Sequence, residues 1–295
     1  MLSCCDTARA GGLVSRSDPE ASGAARPETR FFERAAGRIA FDDSGGHGPL
    51  IVAIPGMGEI RQQYRLVRPQ LVRSGYRFVT LDIRGHGQSS VNWTDYSARA
   101  VGGDVLALID HLRADSAVVL GNSFAAGAAL WAACEQPDRV RGIGMLGPIL
   151  RDLPVDPLTR IVARIGFAGP WRTWFWMTYW NSLFPLHKPV DHAAYRERLA
   201  ANLKEPGRMK VLQKMASLSK SDTEALVGKI PVPVLIVMGS RDPDFKDPVA
   251  ESAWLARKMD ARVVLAHGAG HYPHVESPDQ VAREIEKFLK CLKGR

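Results

Sequence analysis

Gly121-Asn122-Ser123-Phe124-Ala125 sets a serine between small residues. The apolar, β-branched run Ala117-Val118-Val119-Leu120 precedes it, and the helix-forming run Ala128-Ala129-Leu130-Trp131-Ala132-Ala133 follows. Strand, tight turn and helix, in that order, lift a serine hydroxyl to the tip of a nucleophile elbow. The helix N-terminus beside it offers backbone N–H groups to a developing negative charge. A hydroxyl is a poor nucleophile at neutral pH and needs an adjacent base that is itself oriented. Carboxylates and imidazoles of that kind lie downstream. Val234-Leu235-Ile236-Val237-Met238-Gly239-Ser240-Arg241-Asp242 reads as a buried strand ending in a turn that presents Asp242, with Asp244 close behind. Asp247 precedes Pro248 and reads as a helix cap. Asp152, after an earlier strand, is a further carboxylate. Beyond Arg262-Val263-Val264-Leu265, a glycine-rich loop carries His267, His271 and His274. His86, in Arg84-Gly85-His86-Gly87, reads as structural and bonded within its turn.

These residues require elements to hold them. Short apolar runs alternate with helical patterns, as expected of a mostly parallel sheet wrapped by helices. A hairpin is predicted over 31–43, and strands at 50–54, 76–82, 117–121, 141–147, 233–238 and 262–266. A helix is predicted over 62–74, with Pro69 marking a late start or a kink. Val101, Val105, Leu108, Ile109 and Leu112 form a 3.6-residue stripe over 98–112. The closing helix opens with Ser277 as N-cap, Pro278 at N1 and Gln280 at N3, and buries Val281, Ile285, Phe288 and Leu289. The alternation breaks between 149 and 225, where Trp171, Trp174, Trp176 and Trp180 supply four of the seven tryptophans. An insertion there would lie above the strand ends, with its aromatics either filling its own core or walling a substrate site.

Composition bounds the alternatives. At 295 residues, 45% hydrophobic and 24% charged, the chain is that of an ordinary globular protein with a large core. The net charge is +8, and 13 Lys and Arg against 7 Asp and Glu between 151 and 229 supply six of it. Such a bias speaks to association with anions or membrane surfaces, more often to a solvated face. No basic and aromatic recognition motif points to nucleic acid. No apolar run is long enough for an integral membrane segment, which leaves peripheral membrane contact open. Residues 1–29 lack an apolar signal-peptide core and read as a disordered leader. Cys4, Cys5, Cys134 and Cys291 show no disulfide or zinc spacing, which suggests a reducing, cytoplasmic setting.

Taken in order, five blocks resemble those of the α/β-hydrolase superfamily over about residues 31–292. They are Ile54-Pro55-Gly56-Met57-Gly58, Asp82-Ile83-Arg84-Gly85-His86-Gly87-Gln88-Ser89, the Ser123 elbow, Gly239-Ser240-Arg241-Asp242 and Gly270-His271-Tyr272-Pro273-His274. The resemblance implies an α/β fold with a mostly parallel central sheet flanked by helices. Its core would comprise 30–148 and 226–295, with a helical lid at 149–225. It implies Ser123 as nucleophile, His271 as general base and acid, and Asp242 as the residue orienting it. The oxyanion hole would use the amides of Met57 and Phe124. Trp171, Trp174, Trp176 and Trp180 would wall the substrate site. The implied reaction is acyl-enzyme cleavage of an ester of a small molecule, which requires no metal or organic cofactor. Serine at the elbow, rather than aspartate, sets aside dehalogenase and epoxide hydrolase chemistry. Three alternatives stay open: carbon–carbon bond hydrolysis, which the Gly-Asn-Ser elbow also resembles, a low-turnover ligand-binding or signalling role, and a membrane-surface lipid hydrolase that would use the basic, tryptophan-rich lid.

Overall fold

Short apolar strands buried at nearly every position require a sheet covered on both faces. A computed structural model describes residues 28–293. Within them the chain forms β1 (Thr29–Arg34), β2 (Gly37–Asp43), β3 (Leu50–Ile54), β4 (Arg77–Leu81), β5 (Ala117–Asn122), β6 (Val140–Leu146), β7 (Val234–Gly239) and β8 (Arg262–Ala266). They make one sheet in the order β1-β2-β4-β3-β5-β6-β7-β8. The β1–β2 and β2–β4 pairs are antiparallel and every other pair is parallel. The leader expected at 1–29, with Cys4 and Cys5, falls outside the described residues except for its last two positions.

The helices are α1 (Arg68–Arg73), α2 (Ala98–His111), α3 (Phe124–Glu135), α4 (Pro157–Ala168), α5 (Arg172–Ser182), α6 (His192–Leu203), α7 (Arg208–Ala216), α8 (Ser221–Glu224), α9 (Pro248–Met259), α10 (Pro273–Glu276) and α11 (Pro278–Lys293). Side chains of alternate strand residues enter opposite cores. Val52, Ile54, Val79 and Val119 pack with α2, α3 and α9, while Ile51, Ala53, Phe78 and Val118 pack with α1 and α11. The helix expected over 62–74 is shorter. Residues Arg61–Tyr64 make a 3-10 turn, and α1 begins only at Arg68 because Pro69 sits at its first turn.

Helices α4 to α8 all fall between β6 and β7, where the strand–helix alternation of the sequence breaks. They have a core of their own. Trp176, Met177, Trp180, Leu183, Phe184, Tyr195, Leu199 and Leu212 pack together and onto Ile60, Tyr272 and Val275 of the sheet domain. Buried aromatics make this contact dominant, and it sits above the carboxyl ends of the parallel strands, where ligand sites form in such sheets.

Candidate active site

Ser123 follows β5 directly and precedes α3, with φ +55° and ψ −125°. That backbone is strained for a residue carrying a Cβ, and strain of this kind concentrates at functional sites. The turn closes only because residue 121 is glycine: a Cβ there would stand 2.3 Å from the Ala125 carbonyl. The Ser123 amide donates to Leu146 O at 3.0 Å, fixing the turn to β6.

The structure brings His271 and Asp242 together, as the sequence order suggested. His271 Nδ1 lies 2.8 Å from Asp242 Oδ2, and both side chains are almost wholly buried. Asp242 Oδ1 accepts the Asp244 amide at 3.0 Å, so the carboxylate is held at both oxygens. Burial alone would depress the His271 pKa, but the charges of Asp242 and then Asp244 override it and raise it to about 9. Since Asp242 can only accept, the ring proton is on Nδ1 and Nε2 is left free to take another.

Among the rival candidates, Asp244 also faces His271. Its Oδ2 is 3.4 Å from His271 Nδ1, and its Oδ1 accepts the Tyr179 hydroxyl of α5 at 2.6 Å. Burial pushes its pKa up, and the facing His271 charge opposes that. Asp152 instead binds Ser219 and Lys220, and Asp247 caps α9 through Ala250 N. His267 is exposed. His274 is buried, stacks on Tyr64 and is pushed down to about 3, first by burial. Asp242, Asp244 and His271 are also the one group among the described residues whose ligand atoms converge as a metal's would. The His271–Asp242 hydrogen bond accounts for that convergence without a cation.

Three supports escaped the sequence reading. A chain of side chains runs beneath the elbow: Gly56 N donates to Gln63 Oε1 at 3.2 Å, and Gln63 Nε2 donates to Asn122 Oδ1 at 3.0 Å. Asn122 Nδ2 in turn donates to Leu146 O at 2.7 Å and His271 O at 3.3 Å. Residue 122 therefore ties the Gly56 loop, the elbow and the histidine loop together. Secondly, His86 is bonded within its turn to Arg84 O at 2.9 Å, as expected, but its Nε2 also accepts Gly58 N at 3.0 Å. Burial holds it neutral, at about 4, so it can serve as that acceptor. Thirdly, the buried Glu59 carboxylate accepts Trp180 Nε1 at 2.5 Å and the Tyr195 hydroxyl at 2.7 Å, joining this loop to α5 and α6. The Asp-x-Arg-Gly-His block was a signal for His86; nothing local marked Gln63 or Glu59.

The Met57 amide has no hydrogen-bond acceptor among the described residues, and that of Phe124 opens α3, where no preceding turn supplies one. The four tryptophans do not share one wall. Trp180 is 1% exposed and committed to Glu59, and Trp176 is 5% exposed. Trp171 and Trp174, at 49% and 65%, face solvent on the outer side of α5. Trp176 packs directly against the turn that follows Met57. Gly58 has φ +79°, and a Cβ there would stand 2.4 Å from the Trp176 ring.

The alpha/beta hydrolase family model matches residues 51–284, and the chain belongs to that family as a hydrolase. The 3-oxoadipate enol-lactonase 2 of Acinetobacter baylyi is 24% identical over 73% of this chain and 79% of its own length. The 2-(acetamidomethylene)succinate hydrolase of Mesorhizobium japonicum is 26% identical over 83% of this chain and 89% of its own. Among solved structures, a bromoperoxidase from Bacillus anthracis superposes with a TM-score of 0.77 at 21% identity, over 89% of this chain and all of that one, a likeness of fold.

Proposed function

We propose that the protein is a serine hydrolase that cleaves an ester or related acyl bond of a small apolar or aromatic substrate. The observation that carries this reading is the His271–Asp242 pair at 2.8 Å, whose loop Asn122 ties at 3.3 Å to the strained elbow that holds Ser123. Ser123 Oγ attacks the acyl carbon while His271 Nε2 takes its proton, and the tetrahedral oxyanion meets the amides of Met57 and Phe124. His271 then returns the proton to the departing alcohol oxygen as the carbon–oxygen bond breaks, leaving an acyl-Ser123 ester. Water, deprotonated by the same nitrogen, cleaves that ester and restores the serine. Asp242 keeps the imidazole in the required tautomer.

Helices in 149–225 act as a lid in this reading. Ser123 and His271 are only 9% and 2% exposed, so substrate enters when these helices shift. Trp176 is the tryptophan we assign to the pocket wall. A cavity of about 470 Å³ lies beside the start of α3, lined by Phe124, Trp131 and Ile149 together with Asp95, Arg99 and Lys220; Ser123, His271 and Trp176 do not line it. Asn122 is engaged in three structural hydrogen bonds, so the Gly-Asn-Ser elbow needs no carbon–carbon chemistry to explain it. No helix among the described residues is long and apolar enough to cross a membrane. Among the described residues Cys134 and Cys291 form no disulfide.

A fluorophosphonate probe tests the reading: it should label the wild type and leave Ser123→Ala and His271→Ala unlabelled. A folded wild type that stays unlabelled overturns it. A series of p-nitrophenyl esters should then show preference for medium or aromatic acyl groups, and equal rates at all lengths would remove Trp176 as a selective wall.

A further inference from the structure

Helix α4 has its apolar stripe on the wrong side for a globular protein. Leu158, Ile161, Val162 and Ile165 follow the i, i+3, i+4, i+7 spacing that normally faces a core. Here they are 69%, 55%, 49% and 58% exposed. The opposite side makes the contact with the rest of the molecule: Phe167 packs edge-on against Phe175 of α5 with ring centroids 5.4 Å apart. The stripe continues onto Trp171 and Trp174, and the Trp171 ring is pinned by its Nε1, which donates to Ile165 O at 3.0 Å. Large apolar side chains exposed together in this way mark an interaction surface.

Charge identifies what covers it. Between 157 and 174 the sequence holds Arg160, Arg164 and Arg172 and no carboxylate. All three arginines are exposed and have no ion-pair partner among the described residues. By helical spacing Arg160 and Arg164 run along one edge of the stripe, and Arg172 opens α5 beside it. A second copy would bring three unpaired cations against three more, so self-association through this face is opposed by its own charge. An anionic bilayer satisfies both features. Aliphatic side chains enter the acyl boundary, tryptophans sit at headgroup depth, and arginines meet lipid phosphates.

We infer that α4 and the start of α5 form a docking surface for anionic lipid membranes. Helix α4 packs on α5, the helix that carries Trp176 to Gly58 and Tyr179 to Asp244, so the surface adjoins the elements beside the reactive groups. Binding itself needs no catalysis and is read separately from it.

The test uses the full-length protein with vesicles of phosphatidylcholine alone or with about 30% phosphatidylglycerol, in flotation assays at about 0.1 M and about 0.5 M salt. Binding is expected to the anionic vesicles, weaker at high salt. Arg160→Gln/Arg164→Gln should weaken it about 25-fold, at about fivefold per arginine. Ile161→Ser/Ile165→Ser should weaken it at least about tenfold. Circular dichroism and thermal unfolding show that each variant is folded whether or not the protein hydrolyses esters. The inference is overturned if the wild type ignores anionic vesicles, if either variant binds as tightly as the wild type, or if the wild type is a dimer that the isoleucine variant disperses.

Discussion

Replacing Asp244 with asparagine should make the enzyme more active at neutral pH. His271 must be unprotonated to accept the Ser123 proton, yet two carboxylates face it and hold its pKa at about 9. The groups around it are Asp242, Asp244, Glu276, Tyr272 and, through Asp244, Tyr179. Asp244 is the removable one, since Asp242 also fixes the tautomer. Unit charges 3.4 Å apart, the Asp244–His271 separation, interact by about 1 kcal/mol in bulk water and about 5 kcal/mol at an effective dielectric near 20. Charge spread over the carboxylate and the ring, together with partial protonation of Asp244, favours the lower end. At 1.36 kcal/mol per pKa unit, the acid limb of kcat/KM should therefore fall by at least about one pH unit. With the wild-type limb near 9, that is about a tenfold gain at pH 7 relative to the alkaline plateau. The Asp244→Asn side chain still offers Tyr179 an acceptor, so the substitution removes the charge and keeps that hydrogen bond. The assay is kcat/KM for a soluble p-nitrophenyl ester between about pH 5.5 and 10, alongside an NMR titration of His271. An acid limb that overlays the wild type, or moves upward, refutes the electrostatic argument.

Tyr179→Phe should move the limb in the same direction by less, because it removes the donor that favours charged Asp244, and should add nothing in an Asp244→Asn background; full additivity in that double-mutant cycle would refute the coupling. Gln63→Leu leaves Gly56 N and Asn122 Oδ1 without their partners and should cost about 2–4 kcal/mol in urea unfolding; a loss below about 0.5 kcal/mol would show that the chain beneath the elbow carries no weight. Glu276 has one carboxylate oxygen bonded to Gly270 N and the other buried without a partner, and burial raises its pKa to about 7. Its folded-state preference for the proton is fully favourable below about pH 4.5 and is lost as pH rises through about 7. Glu276→Gln should therefore stabilise the protein above pH 7 by on the order of 1–3 kcal/mol and leave it unchanged near pH 4; equal unfolding midpoints at pH 8 would refute this.

How much of this was legible in the chain depends on the range of the interaction. The Ser123 elbow is local: strand, small-residue turn and helix are contiguous, and Gly121 is small because Ala125 O approaches it. Strand positions were legible because apolar β-branched runs buried on both faces have few other solutions. The helix over 62–74 was overestimated, since Pro69 sets where α1 starts and the residues before it turn instead. Chain order pointed to Asp242 and His271, but left Asp244 and His274 as rivals.

Sequence alone determined the parallel sheet, the elbow, the order of the candidate acid and base, and the place of the insertion. Periodicity and turn chemistry act over a few residues and carry that much. Only the tertiary structure decided that Asp244 shares His271 with Asp242 and answers to Tyr179, 65 positions away. It alone decided that His86 holds Gly58, that Glu59 anchors Trp180, and that two of four tryptophans turn outward beside an exposed apolar helix. Those outcomes depend on which faces meet across the strand ends. A helical stripe in the sequence says that an apolar face exists, but not whether protein or something else covers it.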